Sequence, residues 1–279
     1  MNRICVNGKL HDADTPVLTA ANRAYRYGNG LFETIRWTGK FLPLIEYHLD
    51  RLLAGMDVLK YQLPAHLDRE KIHEEIIRLC VKNHGTKPAR VRFSIFPGNG
   101  GLYDGDRKLQ YVIETWPLTA EQGSFNNNGL LLGIYPDETK KPGIFSGLKS
   151  ADFLLYSMAA TYATGQKWND ALVLNPAGRV ADSTIANIFI VKNGIICTPP
   201  VADGCVAGVM RRYLLDHLPE AGFTVEEQTL SPGDLDNAVE IFLTNAIRGI
   251  RWVGRFGEHT YPSEISSHIS RTLVQTIFS

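Results

Sequence analysis

The sequence predicts an α/β fold of the α+β, mixed-sheet kind, divided into two domains. Two observations predict the fold class. Short β-branched strand patterns interleave with helical patterns along all 279 residues, an order that belongs to sheets covered by helices and not to a bundle. Several strand pairs are hairpin-like, as at Asn7-Gly8, so the sheets are expected to be mixed. A third observation divides the chain. The polar, turn-forming stretch TAEQGSFNNN over 119–128 is the best domain linker, leaving a smaller N-terminal α/β domain at 1–118 and a larger C-terminal domain at 129–279.

The elements follow in order. Ile4 to Val6 and the Asn7-Gly8 turn open a short hairpin. Leu31 to Thr38 is a strand closed by a turn at Gly39-Lys40. Leu44 to Leu59 (LIEYHLDRLLAGMDVL) carries apolar residues at helical spacing, and Arg69 to Lys82 repeats that pattern. Ala89 to Phe96 and Leu109 to Thr115 are strands joined by the glycine-rich loop Pro97 to Asp106. Beyond the linker, Leu130 to Tyr135 is a strand and Ala151 to Thr164 an alanine-rich helix. Asp170 to Leu174, Ile188 to Val191 and Ile195 to Thr198 are strands. The turn Ala202-Asp203-Gly204 opens a helix from Val206 to Leu218. Val239 to Thr244 is a strand, and Ser266 to Ile277 a closing helix.

Composition narrows the function. Hydrophobic residues make up 44% and charged residues 21%, as in an ordinary globular enzyme. Lys plus Arg equals Asp plus Glu at 29 each, so nothing in the net charge draws the chain to nucleic acid or an anionic membrane. An anionic ligand therefore needs a local site. The N-terminus MNRICVNGKLHDADTP has no apolar secretory core, and no apolar run is long enough to span a bilayer. Cys5, Cys80, Cys197 and Cys205 are scattered without C-x-x-C spacing. They are expected as buried free thiols in a reducing cytoplasm, with no zinc site.

Several residues carry possible chemistry. Lys149, in SGLKSADF, is either a solvated lysine near a helix start or an amine of lowered pKa suited to Schiff-base formation. The positive end of a helix dipole would depress that pKa. In VADSTIANIFIV, Asp182 stands ahead of Asn187 and a β-branched strand. This is either a polar turn or a turn that aims a carboxylate at a cation. GCVAGVMR over 204–211 is a turn opening a helix, a natural anion site. Thr244, Asn245 and Ala246, ending an apolar strand, offer a hydroxyl and amides. Arg51 is either the polar side of its helix or a charge-assisted anion ligand.

Read together, NRAYRYGNGLFETIRW, HLDRL, GLKSADF, DSTIANIF, GVMRR and FLTNAIRG resemble, in order and spacing and over nearly the whole chain, the class IV (fold type IV) pyridoxal-phosphate aminotransferases. That group includes D-amino-acid and branched-chain aminotransferases and aminodeoxychorismate lyases. The resemblance implies a D-amino-acid-aminotransferase-like fold, pyridoxal 5'-phosphate as cofactor, and a homodimer with active sites completed across the interface. It implies that Lys149 holds the cofactor, Asp182 pairs with the pyridine nitrogen and Arg51 binds the phosphate. Val209, Met210, Thr244 and Asn245 would surround that phosphate, and Asn187 would complete the signature turn. Tyr27 matches an aromatic that reaches the pocket, often from the neighbouring subunit, and Arg92 a carboxylate-binding arginine. Three positions depart from the pattern. Asp182 replaces a glutamate, Phe153 a tyrosine common soon after the lysine, and Met210 a threonine.

The implied reaction moves an amino group between an amino acid and a 2-keto acid such as 2-oxoglutarate or pyruvate. Arg90 and Arg92 lie two apart on a strand and share a face. Arg92 is the first candidate for the substrate carboxylate, with Arg26 and Arg90 as alternatives. The Arg-x-His trap of D-amino-acid enzymes is absent at Phe96-Pro97-Gly98, although other arginines could serve, and D-amino-acid donors are placed first. Arg92 and Tyr27 favour a branched-chain enzyme. Thr34 and LTNAIRGI favour the lyase. A non-catalytic ligand-binding relative is the remote alternative. The loop Pro97 to Asp106 is a candidate cover for a neighbour's pocket.

Overall fold

A computed structural model describes residues 2–105 and 108–279. Asp106, the end of the expected covering loop, lies outside the described residues. The chain forms two compact units. One comprises Met1–Ala120 with Leu148–Asp152, the other Glu121–Gly147 with Phe153–Ser279.

The first unit contains β1 (Arg3–Val6), β2 (Lys9–Asp12), α1 (Arg23–Tyr27), β3 (Leu31–Trp37), α2 (Ile45–Val58), α3 (Arg69–His84), β4 (Ala89–Pro97) and β5 (Leu109–Pro117). The strands form an antiparallel sheet in the order β2-β1-β5-β4-β3. Strand alternation sends Leu31, Glu33, Ile35 and Trp37 to one face and Phe32, Thr34 and Arg36 to the other. Leu31, Ile35 and Trp37 share a core with Leu49, Leu52 and Met56 of α2 and Ile72, Ile76 and Leu79 of α3. Burying each such side chain contributes roughly 1.5–3 kcal/mol. Asp68 caps α3 by accepting the Lys71 amide at 2.8 Å. Helix α1 has only five residues, too few for a periodic signal. Asn22 starts it by accepting the amides of Ala24 and Tyr25, and Gly28 ends it at φ 65°.

The second unit contains β6 (Leu130–Ile134), α4 (Leu154–Gly165), β7 (Asp170–Leu174), β8 (Val180–Ser183), β9 (Asn187–Lys192), β10 (Ile195–Thr198), α5 (Val209–His217), β11 (Thr224–Glu227), α6 (Pro232–Asp236), β12 (Glu240–Asn245), β13 (Gly249–Phe256), β14 (His259–Thr260) and α7 (Glu264–Ile269), the last continued by a π turn at Ser270–Val274. The sheet runs β11-β10-β9-β12-β13-β6-β7-β8, with β14 on β13. The pairs β10/β11, β6/β13 and β6/β7 are parallel and the rest antiparallel, so the sheet is mixed. Its core gathers Leu132, Leu172, Ile188, Ile190, Ile241, Leu243 and Val253.

Several boundaries differ from the sequence reading; the helix expected from Val206 starts at Val209, and the closing helix expected over Ser266 to Ile277 runs Glu264–Ile269 before the π turn. The helix expected from Ala151 begins at Leu154, because residues 148–152 lie extended along the first unit. The chain passes to the second unit between Ala120 and Glu121. Within the expected linker, Asn126 is buried, donates to the carbonyls of Asn128 and Trp252, and accepts the Trp252 amide. Its tail is therefore fastened to the second unit.

Candidate active site

On the first unit the site grows from the outer edge of β3. Residues 148–152 run along that edge. The Phe32 amide donates to the Lys149 carbonyl at 3.0 Å and the Ala151 amide to the Gly30 carbonyl at 2.8 Å. Leu148 packs on the core beneath. These bonds accompany an isolated bridge between Leu31 and Ser150, and the helix starts only at Leu154, five positions after Lys149, so the expectation that Lys149 sits at the helix start is corrected. Its Nζ stands 4.8 Å from the centre of the Phe32 ring. Lys149 and Arg51 line one open cleft with Leu31, Phe32, Glu33, Leu52 and Gly55.

Arg51 is held by Glu33, a charge on the apolar face of β3. Arg51 Nε donates to Glu33 Oε1 at 2.8 Å and Nη2 donates to Oε2. His48, one helical turn before Arg51, places Nδ1 2.6 Å from Glu33 Oε2. Burial alone would raise the Glu33 pKa, but the Arg51 guanidinium and the His48 hydrogen bond reverse that and hold it at about 2. Burial lowers the His48 pKa against the pull of Glu33. We therefore assign a neutral imidazole that donates Nδ1–H, with Arg51 as the charge partner. A buried carboxylate needs both kinds of partner.

On the second unit, Asp182 sits on β8 at 2% exposure. Its Oδ2 accepts the Val206 amide at 2.8 Å, and the Tyr156 hydroxyl lies 3.0 Å from both carboxylate oxygens. The turn after it is fixed by buried Asp170, which accepts the hydroxyls of Ser183 at 2.9 Å and Thr184 at 2.6 Å. Asn187 donates to the Val206 carbonyl at 2.9 Å and pairs across the ladder with Thr244. Gly208 caps α5 without a side-chain bond, so no capping side chain serves the first-turn amides of Val209 and Met210, the arrangement an anion ligand can use. A Cβ at Gly208 would fall 1.8 Å from Asn187 Oδ1. The Thr244 hydroxyl is buried with no hydrogen-bond partner among the described residues. A buried, unpartnered hydroxyl beside a glycine-opened helix fits a phosphate ligand.

The remaining expected residues divide. Arg90, Arg92 and Thr34 lie on the sheet face away from the helices, with Thr34 opposite Arg92 and Arg36 opposite Arg90 in register. Arg92 stacks on Phe32 at 3.7 Å and bonds Ser94 at 3.1 Å. Lys149 approaches the same ring, at 4.8 Å. Arg90 instead stacks on Trp116 at 4.7 Å. Arg26 donates to the carbonyls of Ala20 and Gly100 and acts as a loop staple. Tyr27 is exposed at the end of α1. Asn245 accepts the amides of Ile247 and Arg248, so its side chain closes the β12–β13 turn.

Sequence reasoning missed Glu33, His48, Lys140, Tyr156 and Asp170. Glu33 carried a signal: a carboxylate between Leu31 and Ile35 on the apolar side of a strand requires a partner, and His48 and Arg51 stand one turn apart on the next helix. Tyr156 and Lys140 carried none, since their contacts with Asp182 span loops and strands far apart in sequence.

The comparisons with known proteins agree with one another. The family model for amino-transferase class IV matches residues 30–256. A putative branched-chain-amino-acid aminotransferase of Methanocaldococcus jannaschii is 28% identical over 87% of this chain and 83% of its own length. An aminodeoxychorismate lyase of Vibrio harveyi is 25% identical over 82% of this chain and 83% of its own length. The fold superposes on the crystal structure of a branched-chain aminotransferase from Thermoproteus uzoniensis with norvaline, at TM-score 0.88 and 21% identity, covering 99% of this chain and 95% of that one.

Proposed function

This chain belongs to the class IV aminotransferases, enzymes of pyridoxal phosphate, and on that premise we propose that it moves an amino group between an apolar amino acid of the branched-chain type and a 2-keto acid such as 2-oxoglutarate. The observation that carries the reading is the cleft shared by Lys149 and Arg51, which sets an amine beside a cation suited to phosphate. When bound, the cofactor supplies an aldehyde that takes up the amino group and a ring that withdraws electrons.

The chain's residues supply the rest. Arg51, its guanidinium plane fixed by Glu33, binds phosphate on the first unit. Within the second unit, Thr244 and the Val209 and Met210 amides offer donors suited to a phosphate. Asp182 would pair with the cofactor's ring nitrogen, and Asn187, bonded to the Val206 carbonyl, keeps the turn in shape. The Lys149 amine holds the cofactor. Once free, that amine would act as the base that takes the proton from the donor Cα and as the acid that returns it. Holding that amine in place makes the transfer effectively unimolecular. Arg92, stacked on the ring that Lys149 also approaches, anchors the substrate carboxylate, and Thr34 lies opposite it. Two chains form a homodimer.

Branched-chain donors are placed first because Arg92 stacks on the ring that Lys149 also approaches and because curated relatives of that name recur. The D-amino-acid donors placed first from sequence are the direct competitors. The lyase reading is supported by Thr34 and by the Vibrio harveyi relative. The loaded protein is to be assayed with L- and D-donors plus 2-oxoglutarate, and with aminodeoxychorismate alone. Keto acids formed from L-valine, L-leucine or L-isoleucine are expected. Turnover confined to D-donors reinstates the first expectation from sequence. Pyruvate released from aminodeoxychorismate alone moves the protein to the lyases.

A further inference from the structure

Asp182 already faces a cation of its own chain. Lys140 follows β6, and its amide donates to the Leu174 carbonyl at 2.9 Å, which fastens its backbone to the end of β7. Lys141 next to it turns to solvent, while the Lys140 side chain is 11% exposed and its Nζ lies 3.7 Å from Asp182 Oδ2. The ammonium also donates to the Tyr156 hydroxyl and stands 4.8 Å from the centre of that ring. The Tyr156 hydroxyl in turn reaches Asp182. Ammonium, phenol and carboxylate thus form a buried relay within the second unit, closed by the Val206 amide.

A surface lysine gains little from one ion pair, but a buried one loses its hydration and is retained only where its charge is matched. Here the match is the carboxylate that, on the function proposed above, also faces the cofactor's ring nitrogen. One negative charge then serves two bases. Each proton added to one weakens the hold on a proton at the other, and a low-dielectric site strengthens that competition.

We propose that Lys140 is a positioning residue which, through Tyr156, fixes Asp182 and offsets its charge, so that the ring nitrogen binds its proton less tightly than the carboxylate alone would dictate. The inference rests on the assignment of Asp182 to that nitrogen. The titratable groups facing Lys140 are Asp182, Tyr156 and Cys205. Burial, reinforced by Asp182, pushes Tyr156 up, and burial pushes the Cys205 thiol up to about 12. Both therefore stay protonated at neutral pH, and the competition runs between the lysine and the ring.

The test is ¹⁵N NMR of the holoenzyme loaded with ring-¹⁵N cofactor, titrated with pH in wild type, K140M, K140R and D182N. K140M is expected to move the resonance toward the protonated ring and to raise its proton affinity about tenfold, one pH unit in midpoint. K140R is expected to match wild type. D182N is expected to move the resonance toward the neutral ring. A resonance unmoved in K140M but moved in D182N overturns the role of Lys140 and leaves the assignment of Asp182 standing. A resonance unmoved in D182N overturns that assignment itself. Should K140M not fold, K140Q keeps a hydrogen bond to Tyr156 without the charge, and the same outcomes are read from it.

Discussion

Glu33 shows how one side chain couples stability to the site. Its carboxyl is held at about 2 against an ordinary 4.5, so its contribution is fully present above pH 4.5 and is lost as pH falls through the window down to about 2. That difference amounts to about 3 kcal/mol. Chemical unfolding of wild type and Glu33→Gln at stepped pH should therefore show two curves. They are expected about 3 kcal/mol apart near neutrality and converging near pH 2. Parallel curves would mean that the Arg51 pairing contributes no net stability. At Lys149 the expectation is chemical. Lys149→Ala should leave the unfolding midpoint near wild type, because the backbone bonds that fasten the segment to β3 are kept by alanine. It should also cut turnover by about 10² to 10⁴, the range for a lost proton-transfer group. Unchanged turnover removes Lys149 from the mechanism. Lys149, Asp182, Arg51 and Asn187 could be singled out in the sequence because each stands in a short motif. Glu33, Lys140 and Tyr156 were not read because their meaning lies in partners brought close by the fold.

At the level of elements, strands and helices with strong periodicity were legible and those without it were not. Helices α2 and α3 and strands β3, β4, β5, β9 and β10 lie where the pattern puts them. Strand β8 reads VADS, half polar, yet all four residues are buried. Its polar groups are satisfied by Val206, Tyr156 and Asp170 rather than by water, so the composition misleads. Strand β13 (GIRWVGRF) is broken by glycine and arginine. Gly254 in it is set against Gly129, where a Cβ would come 2.8 Å from the neighbouring Cα. The alanine-rich pattern sets the helix start at Ala151, but the Ala151 amide is claimed by the Gly30 carbonyl ahead of β3 and the helix starts at Leu154. The start of α5 carries a prediction. In Gly208→Ala the new Cβ displaces the Asn187 amide, which can yield only by surrendering its bond to the Val206 carbonyl. We expect cofactor affinity to fall by about 1–3 kcal/mol, the usual cost of overpacking, read as a higher dissociation constant by fluorescence titration. The thermal midpoint should fall less than in a core cavity variant. Wild-type affinity in this variant would mean that the α5 turn does not hold the phosphate.

For the whole molecule, the surface has features that a single chain leaves unexplained. On the second unit Ile144 is 74% exposed, Phe145 59% and Leu154 71%. On the first, Leu102 is 57% exposed and Tyr103 98%. Single exposed apolar residues are ordinary, but adjacent pairs at 144–145 and 102–103 concentrate apolar area where soluble proteins avoid it. With equal numbers of acidic and basic residues, net charge does not keep copies apart. Covering about 100 Å² of apolar surface contributes about 2.5 kcal/mol, so a few such side chains buried by a second copy supply much of an association energy. A two-fold pairing of like faces is the commonest way to do this. Light scattering behind gel filtration should return twice the 31.1 kDa chain mass at micromolar concentration. Ile144→Asp with Phe145→Asp should shift the protein toward the single-chain mass while leaving the far-ultraviolet circular dichroism unchanged, because both side chains point to solvent within their own unit. If wild type elutes at the single-chain mass, these apolar pairs do not serve self-association. If the double variant remains dimeric, the interface lies elsewhere, and the exposed pair at 102–103 is the next surface to charge.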